Sequence, residues 1–460
     1  MDYDNLNSNL KYNIEHTMGY ADVETSTDLV NKFILEKAND HNYEVIDLLD
    51  SYYIKKGVSP KAIIHLNTDS NFLHKNLELD QNDGARIIAG KNIYLFNAIF
   101  VIAALLDLST NDFDVLITNN NIQKDIKNYS SLKDIIRSDN VINLNLHQSR
   151  CIADEFSALN LLNIKVPVLR KELEYSFKTF RLSLNNLIGG HTGEDLDKVR
   201  VNSIKATMGL VRKIKSKVDL DILKLQGGDR YDYIPNFASV DFAINCQYEN
   251  ELINTFKLYK NEYIEKNLKY EPDMDIDLSE ITVSNINPIS DASFSYLSSF
   301  VELIPTGAYA VNSNNNQLIS SLNLSTVRTF EDYINFIIVL RSLSEESMNE
   351  MLEKVKTAAS ISNSKALTGL SLPRWKNSDT SLTEIFTKSY EELTGDQLEV
   401  VKTQYSLDSS MIFFDLDVKI VSLGVEYKQR DDNTFFTDLA DIIAVINVID
   451  NVLTHIKIRS

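Results

Sequence analysis

The sequence predicts an α/β domain interrupted by an inserted α+β domain. Three observations carry that expectation. β-Prone segments alternate with apolar helical ones over roughly the first 175 residues, the strand pattern changes between Phe180 and Pro373, and the chain closes on one long amphipathic helix. The α/β domain should therefore comprise residues 1–175 plus 376–460, and the insertion residues 176–375. At roughly 150 residues per domain, a chain of 460 residues holds two or three units with sizeable cores.

The start, Met1 to Asn7, is polar and acidic and has neither the basic nor the apolar region of a secretory signal. Ser26 or Thr27, followed by Asp28, reads as a cap, after which Leu29, Phe33, Ile34 and Ala38 recur at helical spacing. Tyr43–Asp47, Ser51–Ile54, Lys61–Leu66 and Asp114–Thr118 read as strands. Between the last two, the run Ala98 to Leu106 is about half the roughly 20 residues of a membrane-spanning helix and reads as a buried helix. In the middle, Phe180–Leu184 and Phe237–Ile244 alternate as half-exposed strands around a basic helical stretch from Val199 to Lys217. Asn312–Gln317 reads as exposed loop. The helix-breaking proline of Leu372-Pro373-Arg374-Trp375 precedes the closing segments. There, Leu439, Ile442, Ile443, Ile446, Ile449, Leu453 and Ile456 draw one apolar helical face.

Composition narrows the function classes. Lys+Arg 46 against Asp+Glu 65 gives a net charge of −19, which repels phosphate backbones and anionic lipid, so no nucleic-acid or membrane partner is expected. Two cysteines, Cys151 and Cys246, make no disulfide framework and no metal-binding Cys/His cluster, and a reducing cytoplasm fits them. Only 14 glycines, against a usual share of roughly 7%, leave few of the tight turns on which catalytic loops are built.

A series of motifs spans nearly the whole chain: Gly189-Gly190-His191-Thr192-Gly193, Gly227-Gly228 leading to Tyr233-Ile234-Pro235, Ser321 to Val327, Val339 to Ser342, Leu372 to Lys376, and Tyr390 to Gly395. In this order the series resembles the aminoacyl-histidine dipeptidases, cytosolic two-metal peptidases that cleave carnosine-like dipeptides. The resemblance implies a zinc-peptidase-like α/β/α sandwich, an inserted lid and dimerisation domain, and a homodimer.

What the resemblance implies for the site departs from the family at almost every metal ligand. The family's His-x-Asp matches His65-Leu66-Asn67, keeping the imidazole and losing the acid. The bridging Asp falls on Asn97 in one register and on Phe96 in another. The Glu pair that supplies general base and ligand falls among Asn120 and Asn121, the next Asp on Asn145, and the last His on Asp431. Amide oxygens are neutral ligands, so a pair of divalent ions loses most of the charge that holds it. Asn side chains instead bond to one another, and the old site is expected to close as a polar network, with His65, Asn97, Asn121 and Asn145 converging at the strand ends and Asp431 beside His65. No catalytic residue, metal or cofactor is then expected.

In the lid the family's dipeptide-contacting His and Arg match His191 and Arg341, while Asp232 replaces an Asn. A tight turn kept for folding explains Gly189-Gly190-His191 equally well, and Arg341 at a strand end is more often a solvated charge than a clamp. Asp408 keeps, in shortened form, an acid of the family. His65, His191, Asp232, Arg341 and Asp408 are thus the candidate binding residues. The first functional hypothesis is a non-catalytic binding or scaffold protein with a protein or small-peptide partner. The alternative is a metal-dependent dipeptidase or hydrolase with a rebuilt or single-metal site, zinc being its cofactor; His65, Asp69, His74 and His147 offer the spacing for one.

Overall fold

The structure is a computed structural model that describes the chain apart from residues 21–24, 49–50, 69–76, 82–84, 91, 120–129, 147–149, 284–286, 432–433 and 458–460. It divides into two compact units: residues 1–156, 375–403 and 407–460, and residues 157–374 with 404–406.

The first unit is built on a sheet of nine described strands. Along it run Glu44–Asp47, Tyr52–Lys56, Phe113–Asn119, Ile63–Thr68, Asn140–Asn143, Lys419–Leu423, Cys151–Phe156 and Trp375–Lys376, with Glu399–Thr403 also paired to Cys151–Phe156. The four central strands, Phe113–Asn119 to Lys419–Leu423, are mutually parallel. Helices Tyr3–Met18, Ser26–Asp40, Ile93–Leu108, Ser381–Thr394 and Leu439–His455 share one large apolar cluster with the sheet residues Ile64, Leu66, Val115, Ile117 and Val421. Ile93–Leu108 is apolar all round and is buried from Leu95 to Leu106, as such a helix must be.

One local expectation is corrected, and one element went unread. The cap of the second helix is Thr25, whose hydroxyl accepts from Asp28 N at 3.1 Å, rather than Ser26 or Thr27. The polar start carries a full helix, Tyr3–Met18, because Leu6, Leu10 and Ile14 recur every fourth residue and are fully buried.

The second unit is an antiparallel sheet: Asp275–Ile281, Phe177–Asn185, Ala238–Asn245, Asp221–Gly227, Leu318–Thr329, Tyr333–Ser342, Ala158–Pro167 and Ala366–Leu372, with Gly307–Val311 on Leu318–Thr329. Helices Ser203–Lys215, Glu249–Asn267, Asp291–Leu303 and Glu345–Ile361 supply the rest of its separate core. The sequence sets the edge of the insertion near residue 175, yet Ala158–Pro167 already pairs along its whole length with Tyr333–Ser342. Its alternating burial suits a half-covered antiparallel sheet and not the parallel one. Asn312–Gln317 forms an exposed turn.

Candidate functional site

Strand periodicity builds the site. Side chains two apart share a face, so Ile63, His65 and Asn67 point one way, as do Leu116 with Thr118, Val141 with Asn143, and Ile420 with Ser422. Ile63, Leu116, Val141 and Ile420 belong to a small apolar cluster on the face away from the large core. Toward the carboxyl ends the same row turns polar. Register places His65 opposite Asn143, Asn67 opposite Thr118, and Ser422 opposite Asn143. The short helix Ser409–Ile412, capped by Asp408, supplies Ser409 to this row.

The resulting network has a fully buried inner layer: His65, Thr118, Asn143, Ser409 and Ser422. His65 Nδ1 lies 2.7 Å from Ser409 Oγ and 3.2 Å from Asn143 Nδ2, and Nε2 lies 3.0 Å from Thr118 Oγ1. Thr118 Oγ1 donates to Asp408 Oδ2 at 2.7 Å and accepts from Asn67 Nδ2 at 3.1 Å. With its only proton given to Asp408, Thr118 must accept from Nε2–H, and Nδ1 is left to accept from Asn143 and Ser409. That is a neutral imidazole. Burial pushes the His65 pKa down, and the Asp408 carboxylate, 3.5 Å from Nε2, opposes the shift without reversing it.

The outer layer is made of amides. Asn145 Oδ1 accepts from Asn67 N at 2.8 Å and from Asn143 Nδ2 at 3.0 Å, while Asn145 Nδ2 donates to Asn67 O at 2.8 Å. Asn67 Nδ2 also donates to Asp408 Oδ2 at 2.7 Å, and Ser422 Oγ donates to Asn143 Oδ1 at 2.6 Å.

Of the candidate residues, the structure brings together His65, Asn67, Asn145 and Asp408. It does not bring Asn97, which sits on helix Ile93–Leu108 within the large core and donates to Thr437 Oγ1 at 2.9 Å. Either alignment register, Asn97 or Phe96, falls on this helix, so neither reaches the row. Asp431 is a second correction: it lies exposed in a turn and accepts from Thr434 N at 3.0 Å, and the acid beside His65 is Asp408. Beside Asp408 the His65 ring is neutral. Asn120 and Asn121 lie outside the described residues, as do Asp69, His74 and His147. Thr118, Asn143, Ser409 and Ser422 were not singled out from the sequence. Asn143 lies two residues from Asn145 on the same strand pattern, and Ser409 follows Asp408, which are the signals that point to them.

In the second unit, Gly190–His191 pairs with Tyr233–Ile234. The His191 ring stacks on Tyr405 at 5.1 Å, and its Nδ1 accepts from Gly193 N at 3.1 Å. Gly190 has φ +136°, and a Cβ there would collide with Asp195, so this glycine is required by the turn itself. Asp232 is 3.9 Å from His191 Nε2 and is held by Arg230 through two bonds of 3.0 and 2.7 Å. Arg341 is not a solvated charge: only 4% exposed, it donates to Thr192 Oγ1, Gln404 O and Ser406 Oγ at 3.1–3.2 Å. Among the described residues no carboxylate contacts it, and burial pushes its pKa down to about 10, leaving it cationic at neutral pH.

Ser409, His65 and Asp408 line up as hydroxyl, imidazole and carboxylate, but Ser409 and His65 are fully buried, so no carbonyl reaches the hydroxyl. The two divalent metals implied by the sequence resemblance do not fit the described donors. Both His65 nitrogens are engaged by hydroxyls and an amide, Asn67 and Asn145 are neutral, and Asp408 is the one carboxylate of the network. Among the described residues, no three His, Cys, Asp or Glu side chains are grouped to hold a metal ion.

A mixed sheet with polar parallel strand ends is thus joined in one chain to an antiparallel α+β unit. Among solved structures, the aminoacylhistidine dipeptidase from Vibrio alginolyticus shares this architecture with a TM-score of 0.67 and 18% identity, over 94% of this chain and 93% of that one. A tripeptidase from Staphylococcus aureus shares it with a TM-score of 0.53 and 10% identity, over 99% of both chains. The cytosol non-specific dipeptidase of Escherichia coli is 20% identical over 230 residues, 49% of this chain, so the match spans just under half (46%) of that relative. No family model matches the chain. The likeness establishes the fold. Among the described residues, no helix is long and apolar enough to cross a membrane.

Proposed function

We propose that this chain is a non-catalytic homologue of the aminoacyl-histidine dipeptidases, a cytoplasmic binding or scaffold protein in which the two-metal centre has given way to a hydrogen-bonded network. One observation carries the reading: where the resemblance calls for metal-binding carboxylates, the Asn145 amide bonds the Asn67 backbone, the Asn67 amide bonds Asp408, and the retained imidazole of His65 has both nitrogens occupied. Removal of a general base alone typically costs a factor of about 10² to 10⁴, and loss of the metals adds to it.

The partner the reading favours is a small peptide. Among the described residues Arg341 is a buried cation whose hydrogen bonds go to hydroxyls and a carbonyl, which suits a carboxylate terminus, and Arg230 offsets the charge that Asp232 would present to it. A homodimer is part of the proposal, and light scattering at the mass of one chain contradicts it. For the central reading, carnosine and other dipeptides are incubated with the protein and added zinc, manganese or cobalt. No hydrolysis above a mock purification is expected. Turnover that is lost in His65→Ala and absent from the mock supports the metal-dependent enzyme instead.

A further inference from the structure

In the first unit, helices Ser381–Thr394 and Leu439–His455 and the end of strand Lys419–Leu423 enclose a cavity of about 180 Å³. It lies among residues of the large core and is separate from the His65 row. Phe386, Leu423 and Val448 line it with buried apolar surface, and the buried Cys151 borders it. Its charged lining is one-sided: Asp396, Glu426 and Asp441 against Arg150. Arg150 is already engaged, its Nε 3.0 Å from Glu426 Oε2. Asp441 accepts no hydrogen bond and closes no ion pair among the described residues. Burial, with Glu426 and Asp438 nearby, holds its carboxyl above the usual range against the weaker pull of Lys428 and Arg150.

We propose that this cavity binds a small amphiphilic amine, its ammonium on Asp441 and its apolar body against Phe386, Leu423 and Val448. An ammonium supplies the direct hydrogen-bonded ion pair that neither Lys428 nor Arg150 makes with Asp441, and the apolar walls beside it strengthen that attraction. A neutral ligand of the same shape leaves a half-buried carboxylate more desolvated and still unpaired, and an anion adds repulsion from three carboxylates. The site is independent of the dipeptidase reading, since no residue of the His65 row or of the His191 cluster lines it.

The probe is phenethylamine, titrated calorimetrically into the full chain beside 3-phenylpropionate and 2-phenylethanol. In a Cys246→Ser background, modification of Cys151 by methyl methanethiosulfonate reports whether binding occurs at this cavity. Saturable one-to-one binding of the amine, slower modification of Cys151, and a loss of about fivefold or more in affinity on Asp441→Asn are expected. Asp441→Asn preserves shape at a position without partners, and Val445→Trp, which fills the cavity, abolishes binding and slows Cys151 modification without ligand. The proposal is overturned by no saturable binding of phenethylamine, by equal affinity for 3-phenylpropionate, by binding that leaves the Cys151 rate unchanged, or by unchanged affinity in Asp441→Asn.

Discussion

Thr118 is the hub of the buried row, joining His65, Asn67 and Asp408 through one oxygen. Thr118→Val leaves those three groups short of a partner and should cost about 2–3 kcal/mol in urea unfolding, with Thr118→Ser recovering most of it. Restoring the acid at Asn145 sets a carboxylate where Nδ2 now donates to Asn67 O, so Asn145→Asp should destabilise by about 1–3 kcal/mol. His65 adds a pH dependence of known sign. Its pKa is lowered in the folded chain from an ordinary 6.5, so as pH falls below that value the unfolded chain takes up a proton that the folded chain refuses. Stability therefore falls toward acid until the folded value is passed. His65→Gln should show a flatter urea midpoint between about pH 6.5 and 5 than the native chain, and equal slopes contradict the neutral imidazole. At this scale the sequence displayed the residue types and hid their partners. Asn67 and Asp408 bond across 341 positions, and no local pattern announces that contact.

Elements were legible where periodicity was strong. The uniformly apolar Ile93–Leu108 and the one-faced Leu439–His455 could be read directly, since each side of such a helix declares whether it meets water or core. Tyr3–Met18 was hidden because polar residues surround its narrow stripe of Leu6, Leu10 and Ile14. Leu10 is fully buried within the large core, and Leu10→Ala should cost about 2–5 kcal/mol, measured as a shift in the urea midpoint. A cost within about 0.5 kcal/mol is that of a surface site, and would mean this helix is not docked. Ala158–Pro167 was assigned to the wrong unit because alternation identifies a strand but not its neighbour, and the pairing with Tyr333–Ser342 is non-local. Asn97 misled for a related reason: a helix made mostly of Ile, Phe, Leu and Ala offers few distinctive residues to fix a register.

Over the whole molecule, each unit has its own core, and the single tryptophan, Trp375, is buried in the first. Trp fluorescence should therefore follow the first unit alone while far-UV circular dichroism follows both, so the two urea transitions should differ. Superimposed curves would mean that the cores unfold as one. The fold class was readable because two strand patterns occupy separate stretches of chain, and the amides at positions where the resemblance calls for acids were readable as a series. How those amides satisfy one another was not, since that depends on hydroxyls the motifs do not contain. The most direct test is metal content, by mass spectrometry, of the protein purified without chelator and then dialysed against zinc. A closed amide network predicts well under about one ion per chain, unchanged in His65→Ala. Two ions per chain, lost in His65→Ala, would contradict it.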